Sequence, residues 1–411
     1  MTLANAHKLL KCNHHSAFNN QVAIRHADPE ATALRDARAE IRTEIRRNVK
    51  AFKDYGSDQR ILLMEKRSRD FRDMAISLPP LKVRFLTQGS YAYETLIRIA
   101  QAGQEIDLDD GVYFRVPFLQ GQPVFSSKGM FDIVKRALDP LVARKGWRWS
   151  SKEKDTCLRI HLPGIHAHID LPLFAVDENE FDRIYSMYRG VFKDTMSPLL
   201  TEDQLFKSVH NAYGFGSEKI MLAHREKDWI ASDPKKIHDW FEGSVSTYGN
   251  VLRRICRYIK AWRDKNWVKS ELTSLSLMAM IVEAMSRLGD RPADTRDDAL
   301  LLEIVSDLPV LIRTGQVGIP SLNMKFDGAW TSAQRDLFAQ SFEALRDRLR
   351  RALEGTQVDT IVVSHFNQAL GPRIPNRPDW VDVSIPAQIE PILETKASTV
   401  AAPYVGSSTS G

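Results

Sequence analysis

From about Leu81 to about Glu178 the chain leaves the three-to-four residue spacing of the segment before it and alternates apolar and polar residues one by one. A period of two sends successive side chains to opposite faces of a strand, so one face is buried and the other is free for chemistry. Five segments carry the pattern, VRFLT, EIDLD, VYFRVPF, CLRIHL and HAHIDLPLF. Turn residues separate them, as in a mixed or antiparallel sheet with helices between the strands.

The flanking sequence is helical. Leu34, Ala37, Ile41, Ile45, Val49 and Phe52 fall on one face of a long helix, with Arg35, Arg38, Arg42 and Arg46 in a second stripe beside it. That stripe reads as a solvated face shared with Glu40 and Glu44, or else as an anion-contacting one. Phe131 to Arg144 is helical, and Pro140 predicts a kink or a second piece there. Beyond about Glu178 strands are expected to stop. Ser232 or Asp233 can cap a helix that accepts Pro234 in its first turn. Over 245–264, Val245, Tyr248, Leu252, Ile255, Ile259 and Trp262 predict one helix, with Arg253, Arg257, Lys260 and Asp264 presented away from the apolar stripe.

Residues 1–30 are polar and aperiodic and read as a flexible lead-in. From Pro372 the prolines predict extended wrapping, and the last fifteen residues, ASTVAAPYVGSSTSG, carry no charge and predict a flexible tail. The 411 residues allow two to three domains at about 150 residues each. With 43% hydrophobic and 27% charged residues, a disordered or disulfide-stapled chain is excluded. A net charge of +5 is too small to argue for nucleic acid. Cys12, Cys157 and Cys256 are scattered, as in a reducing compartment. No signal-peptide or membrane-spanning pattern is seen, which predicts a cytoplasmic protein with no membrane partner.

The chemistry concentrates in LTQGSYAYETL, QEIDLDDGVYF and HAHIDLPLF. Gly89-Ser90 closes a strand and opens a helical run, so backbone N–H groups and the Ser90 hydroxyl can face a phosphate, although a Gly-Ser pair alone is more often only a turn. Asp107 and Asp109 leave their strand on one face. Two carboxylates so close repel each other unless a cation lies between them, and hard oxygen ligands on a strand suit Mg²⁺ or Mn²⁺. Asp110 points the other way and, before Gly111, reads as a turn residue. Asp170 is a third acid, which would complete a two-metal site if its strand lies beside that of Asp107. His166, His168 and Asp170 form a rival transition-metal set, but neighbours on one strand diverge too much to chelate well without a fourth ligand.

Taken together, the Gly-Ser turn, the paired acids and the later strand acid resemble the cGAS/DncV-like nucleotidyltransferases. The similarity runs through QGSYAY, GQEIDLDDGVY, HIDLPLFAV, WIASDPKKIHDWF, LRRICRYIKAWRDKNW and SLSLMA. The sixteen residues between Ser90 and Asp107 agree with the DncV-like branch. The resemblance implies an α+β fold: a polymerase-β-like core with a mixed sheet over 31–190, a helical C-terminal lobe over 191–395, a cleft between them and a tail over 396–411. It implies that Asp107, Asp109 and Asp170 hold two Mg²⁺, with Asp170 helping to deprotonate the attacking ribose hydroxyl. Gln88, Gly89 and Ser90 would line the triphosphate, Lys260 and Ser274 would contact it from the helical lobe, and Tyr93, Arg159 and Ser232 would contact the nucleotides. Read from the residues alone, Tyr93 is more often a core residue than a stacking platform, Ser232 reads as a helix cap and Arg159 as a strand-edge charge.

The implied activity joins ATP and GTP through 3′-5′ bonds, with 3′,3′-cyclic GMP-AMP and pyrophosphate as products, for second-messenger signalling in bacterial antiphage defence. The implied partners are an effector that the cyclic nucleotide activates and a ubiquitin-transfer-like E1/E2 protein that would join Gly411 to a target. Two other readings stay open: a template-independent terminal nucleotidyltransferase with linear products, and a non-catalytic nucleotide or RNA sensor, for which the arginine stripe is the motive.

Overall fold

All the alternating segments enter one seven-stranded mixed sheet in the computed structural model, which describes residues 3–51, 81–183, 186, 208, 214–289 and 295–383. The principal strands are β1 (Val83–Gln88), β2 (Ile106–Val116), β3 (Cys157–Leu162), β4 (Ala167–Asp177), β5 (Ile220–His224) and β6 (Asp228–Ala231). Strand β4 is central. It runs parallel to β2 along one side and antiparallel to β3 and then β5 along the other. Strand β1 is antiparallel to β2, and β6 to β5.

One face of the sheet is apolar. Leu108, Val112, Phe114, Ile160, Ile169, Leu171 and Leu173 pack there against helices α1 (Pro29–Ala51) and α2 (Ser127–Arg144), which contribute Leu34, Ile41, Ile45, Phe131, Val134 and Leu138. Each such side chain, fully buried, is worth about 1.5–3 kcal/mol, so this face fixes the strand register and leaves the opposite face free. The remaining helices, α3 (Pro234–Tyr248), α4 (Val251–Asn266), α5 (Ser274–Leu288), α6 (Asp297–Arg313), α7 (Ser332–Glu354) and α8 (Asp359–Leu370), share a second core. Among the described residues no helix is long and apolar enough to cross a membrane.

Several expectations are corrected. Residues 3–28 are not a loose lead-in: Leu9, Leu10, Phe18 and Val22 are fully buried in the helical core, and Ala4–Asn5 pairs with Asp382–Val383. Aperiodic spacing concealed this because short one-turn helices are tied down from outside, as where Asp298 accepts the Ala6 N–H at 2.7 Å. Strands do not stop at Glu178, since β5 and β6 extend the sheet. EIDLD and VYFRVPF are joined in one eleven-residue strand, Ile106–Val116, with no turn at Asp110. Instead Asp110 is fully buried on the helix side, where Arg42 Nε donates to it at 2.7 Å.

The arginine stripe is therefore not a solvated face. Arg42 and Arg46 lie over the Phe85 ring, Arg38 donates to Thr87 Oγ1 at 2.7 Å, and the stripe lines a cavity of about 950 Å³. Helix α2 continues through Pro140 as a single element. The stretch 245–264 is divided: Gly249, with φ +76°, ends α3 before α4 begins. Of the two cap candidates it is Asp233, not Ser232, whose side chain accepts a backbone N–H, from Lys235 at 3.0 Å.

The polar stripe of α4 holds the lobes together. Arg253 donates to the Tyr93 carbonyl at 3.1 Å, Arg257 to that of Glu94 at 2.6 Å and Lys260 to that of Thr95 at 2.8 Å. Gln104 donates to the carbonyl of Asp264 at 2.7 Å. A face that points away from one core thus docks on the other lobe. Arg373, in the proline-rich segment, donates to the carbonyl of Arg98 at 3.2 Å, in line with wrapping. The tail with Gly411 lies outside the described residues.

Candidate active site

Register places the acids in rows on the free face. Gln88, Asp109, Asp170 and Arg159 stand abreast on β1, β2, β4 and β3, and Asp107, His168 and His161 form the adjacent row. The parallel β2–β4 pairing that makes these rows is a tertiary fact. It brings Asp107 and Asp170 together from positions far apart in the chain, with one ligand atom each of Asp107, His168 and Asp170 within 4.8 Å of one another.

The charges are held unequally. Burial would raise the Asp170 carboxyl, but the bidentate contact with Arg159 (2.6 and 2.7 Å) and the Lys154 ammonium at 2.9 Å bring it below its usual value. These two cations supply the positive charge that the acids require. Asp109 goes the other way: loss of water, then repulsion from Asp107 and Asp170, pushes it well above the ordinary carboxylate range.

Asp109 reaches toward the one-turn helix Gly89–Ala92, where a Cβ added to Gly89 would lie 2.0 Å from Asp109 Oδ2. Gly89 also has φ +63°, so the chain turns and approaches the carboxylate at one residue. Ser90, next along, accepts from Lys260 Nζ at 3.0 Å. Burial pushes the Lys260 ammonium down to about 8. Gln88 donates to the Tyr113 hydroxyl. Ser274 opens α5 and accepts from Arg263 at 3.2 Å.

Ser90, Asp107, Arg159, Lys260 and Ser274 line one cleft of about 380 Å³ between the lobes. Ser232 lies between β6 and α3, and Tyr93 is buried in the helical core, stacked on His238 and beside Phe241. His166 leaves the proposed metal set because it ends a short turn with φ +48°, outside β4. Sequence reasoning missed Lys154, Glu105, His161 and Arg263. Lys154 sits in a charged loop with no periodicity to mark it, whereas Arg263 is three residues beyond Lys260 on the same helix and spacing could have found it.

Comparison with known proteins decides the family. Residues 83–174 match the model of the nucleotidyltransferase domain of DncV-like cyclic GMP-AMP synthases, and residues 249–382 match the model of the C-terminal domain of cyclic GMP-AMP synthase. A cyclic GMP-AMP synthase of Vibrio cholerae is 32% identical over 354 residues, 83% of this chain and 77% of that protein. The chain belongs to the DncV-like cyclic GMP-AMP synthase family. It is thus a nucleotidyltransferase of α+β fold, in a family whose members make cyclic dinucleotides.

The structure of the Vibrio cholerae di-nucleotide cyclase DncV in complex with GTP and 5MTHFGLU2 superposes with a TM-score of 0.76 at 26% identity, covering 94% of this chain and all of that one. A second DncV structure, with the linear intermediate 5′ pppA(3′,5′)pG, gives 0.75 at 26% identity with the same coverage. DncV-like nucleotidyltransferases use divalent metals. The residues present here fit such an ion: the chemistry of the donor set is two carboxylates, Asp107 and the buried Asp170, and the His168 imidazole, with one ligand atom of each within 4.8 Å of the others.

Proposed function

We propose that this synthase joins ATP and GTP into 3′,3′-cyclic GMP-AMP with release of pyrophosphate, as a second messenger in antiphage defence. The observation that carries the chemistry is the single cleft in which Asp107 and Arg159 from the sheet, Ser90 from the Gly-Ser turn, and Lys260 and Ser274 from the helical lobe meet. The related DncV structure with a linear pppA(3′,5′)pG intermediate supports a first 3′-5′ bond made before the ring closes.

Asp107, Asp109 and Asp170 would hold Mg²⁺, which when bound neutralises charge on the attacking and leaving oxygens. The protein's part is placement. The backbone at Gly89 and the Ser90 hydroxyl receive the triphosphate, and Lys260 and Ser274 close on it from the other lobe. Gln88 lines the same turn, and Arg159, which lines the cleft, approaches the nucleosides; Tyr93, in the helical core, and Ser232, between β6 and α3, lie outside the residues that line it. Asp170 accepts the proton of the 3′ hydroxyl that attacks the α-phosphorus. Arg159 and Lys154, paired with Asp170, stand where they would also bind phosphate oxygens.

The test is incubation of purified protein with four labelled NTPs and Mg²⁺, then nuclease digestion and mass spectrometry. Cyclic GMP-AMP with both linkages 3′-5′ is expected; only linear oligonucleotides would instead establish a terminal transferase.

A pH effect follows from Lys260. Because its value is lowered from 10.5 to about 8, its charge is lost progressively as pH rises through that value. Nucleotide affinity measured by calorimetry is therefore expected to fall between about pH 7 and about pH 9. Lys260→Met should bind more weakly than the wild type at pH 7, approach it by about pH 9 and show no such fall.

A further inference from the structure

The turn that carries Gly89 and Ser90 ends in an unusual cap. Two hydrogen bonds close the one-turn helix Gly89–Ala92: the Thr95 N–H donates to the Ser90 carbonyl at 2.9 Å, and the Glu94 N–H to that of Tyr91 at 3.3 Å. This pairing is the Schellman motif, whose left-handed position is usually glycine. Here Glu94 fills it, with φ +57°. Burial does not account for the choice, since the Glu94 side chain is 74% exposed.

A glutamate in that region is strained, and such strain persists only where the surroundings over-determine it. Helix α4 does so. Arg253, Arg257 and Lys260 share one of its faces. Each donates to one carbonyl of the cap, to Tyr93 at 3.1 Å, Glu94 at 2.6 Å and Thr95 at 2.8 Å respectively. The two guanidinium groups are themselves fixed, Arg253 by both oxygens of Glu242 at 2.8 Å and Arg257 by Asn19 Oδ1 at 3.0 and 3.1 Å. Three successive carbonyls are thus each held by a cation. Because the N–H groups of Tyr93 and Thr95 donate back to the carbonyls of Gly89 and Ser90, at 3.0 and 2.9 Å, the cap in turn holds both residues of the turn.

We propose that Arg253 and Arg257 are positioning residues for nucleotidyl transfer: by holding Glu94 left-handed they fix Gly89 and Ser90 where a triphosphate is received. The inference rests on the reading of the Gly-Ser turn given above and adds what sets its geometry. Neither arginine lines the cleft of Ser90, Lys260 and Ser274, so both act through the cap and not on the substrate.

Position 94 provides the test, because its side chain is exposed and its backbone preference can be changed there without disturbing a core. Glu94→Gly, Glu94→Asn and Glu94→Val all remove the carboxylate that lies 3.7 Å from Arg253. Differences among them therefore report conformation: glycine and asparagine accept a positive φ, and valine does not. Pyrophosphate release by the full-length protein is measured with Mg²⁺, ATP and GTP. Glu94→Val is expected to lose about tenfold or more in kcat relative to Glu94→Gly, since a misplacement of about 1 Å at a reacting centre costs about a hundredfold. Arg257→Met should lose a similar factor, and adding Glu94→Gly to it should restore most of the loss, because glycine holds the left-handed conformation unaided. A role for Arg257 in lobe docking alone would show no such rescue, since glycine supplies no contact. Equal kcat in the valine and glycine variants, or no rescue, overturns the proposal and leaves the reading of the turn standing; no product from the wild type overturns both. If Arg257→Met does not fold, the Glu94 series decides alone, with melting temperature showing that each of its variants is folded.

Discussion

Asp109→Asn is expected to lose turnover and gain stability. Asp109 is pushed well above the carboxylate range by burial and by Asp107 and Asp170, so its folded value exceeds the unfolded one. The sign follows from linkage: such a group favours folding below its unfolded value, and that contribution is lost as pH rises through the folded value. Above the unfolded value Asp109 therefore costs stability, either as a buried charge or by taking up a proton on folding, and a neutral amide of the same shape removes that cost. Without metal the variant should melt at a higher temperature than the wild type. If Asp109 holds the metal as proposed, its loss should lower cyclic-dinucleotide formation by about 10³-fold or more, because such a ligand supports several kcal/mol of transition-state charge stabilisation. Mg²⁺ with a nucleotide analogue should then raise the melting temperature of the wild type more than that of the variant. Equal or lower metal-free stability would remove the electrostatic explanation, and substantial product would remove Asp109 from the chemistry.

Gly89→Ala should also be severe, for a reason that can be isolated. A Cβ there meets Asp109 Oδ2 at 2.0 Å, and φ is +63°. The conformational part alone costs about 1–2 kcal/mol. The collision must move the turn or the carboxylate, and a misplacement of about 1 Å at a reacting centre costs about a hundredfold in rate. Gly146 provides the control, with φ +65° and nothing within 4 Å of an added Cβ. Gly146→Ala should lose similar stability and keep full activity. If both variants keep activity, close approach at Gly89 is not needed for catalysis.

The legible parts of the fold share one property, that neighbouring residues repeat it. Helix α1 follows from Leu34 to Val49 at helical spacing, and β1, β2 and β4 follow from alternation. The misreadings share the opposite property. Asp110 before Gly111 resembles a turn in sequence; it is strand because Arg42, sixty-eight residues earlier, neutralises it from the helix above. Residues 3–28 look loose because what orders them, the helical core and the strand at Asp382–Val383, lies at the far end of the chain.

By itself the sequence determined which side chains are available and on which face of their own element they stand: Asp107 with Asp109, Ser90 after Gly89, Lys260 off the apolar stripe of its helix. Those relations span a few residues and follow from the periods of strand and helix. Only the tertiary structure decided what faces what across strands and lobes. It set Asp170 beside Asp109, Arg159 beside Asp170, His168 beside Asp107 and Lys260 beside Ser90, because register and lobe docking depend on two buried cores at once. The charge state of the site belongs to that second level: which acid is raised and which is lowered depend on distances that no local spacing contains.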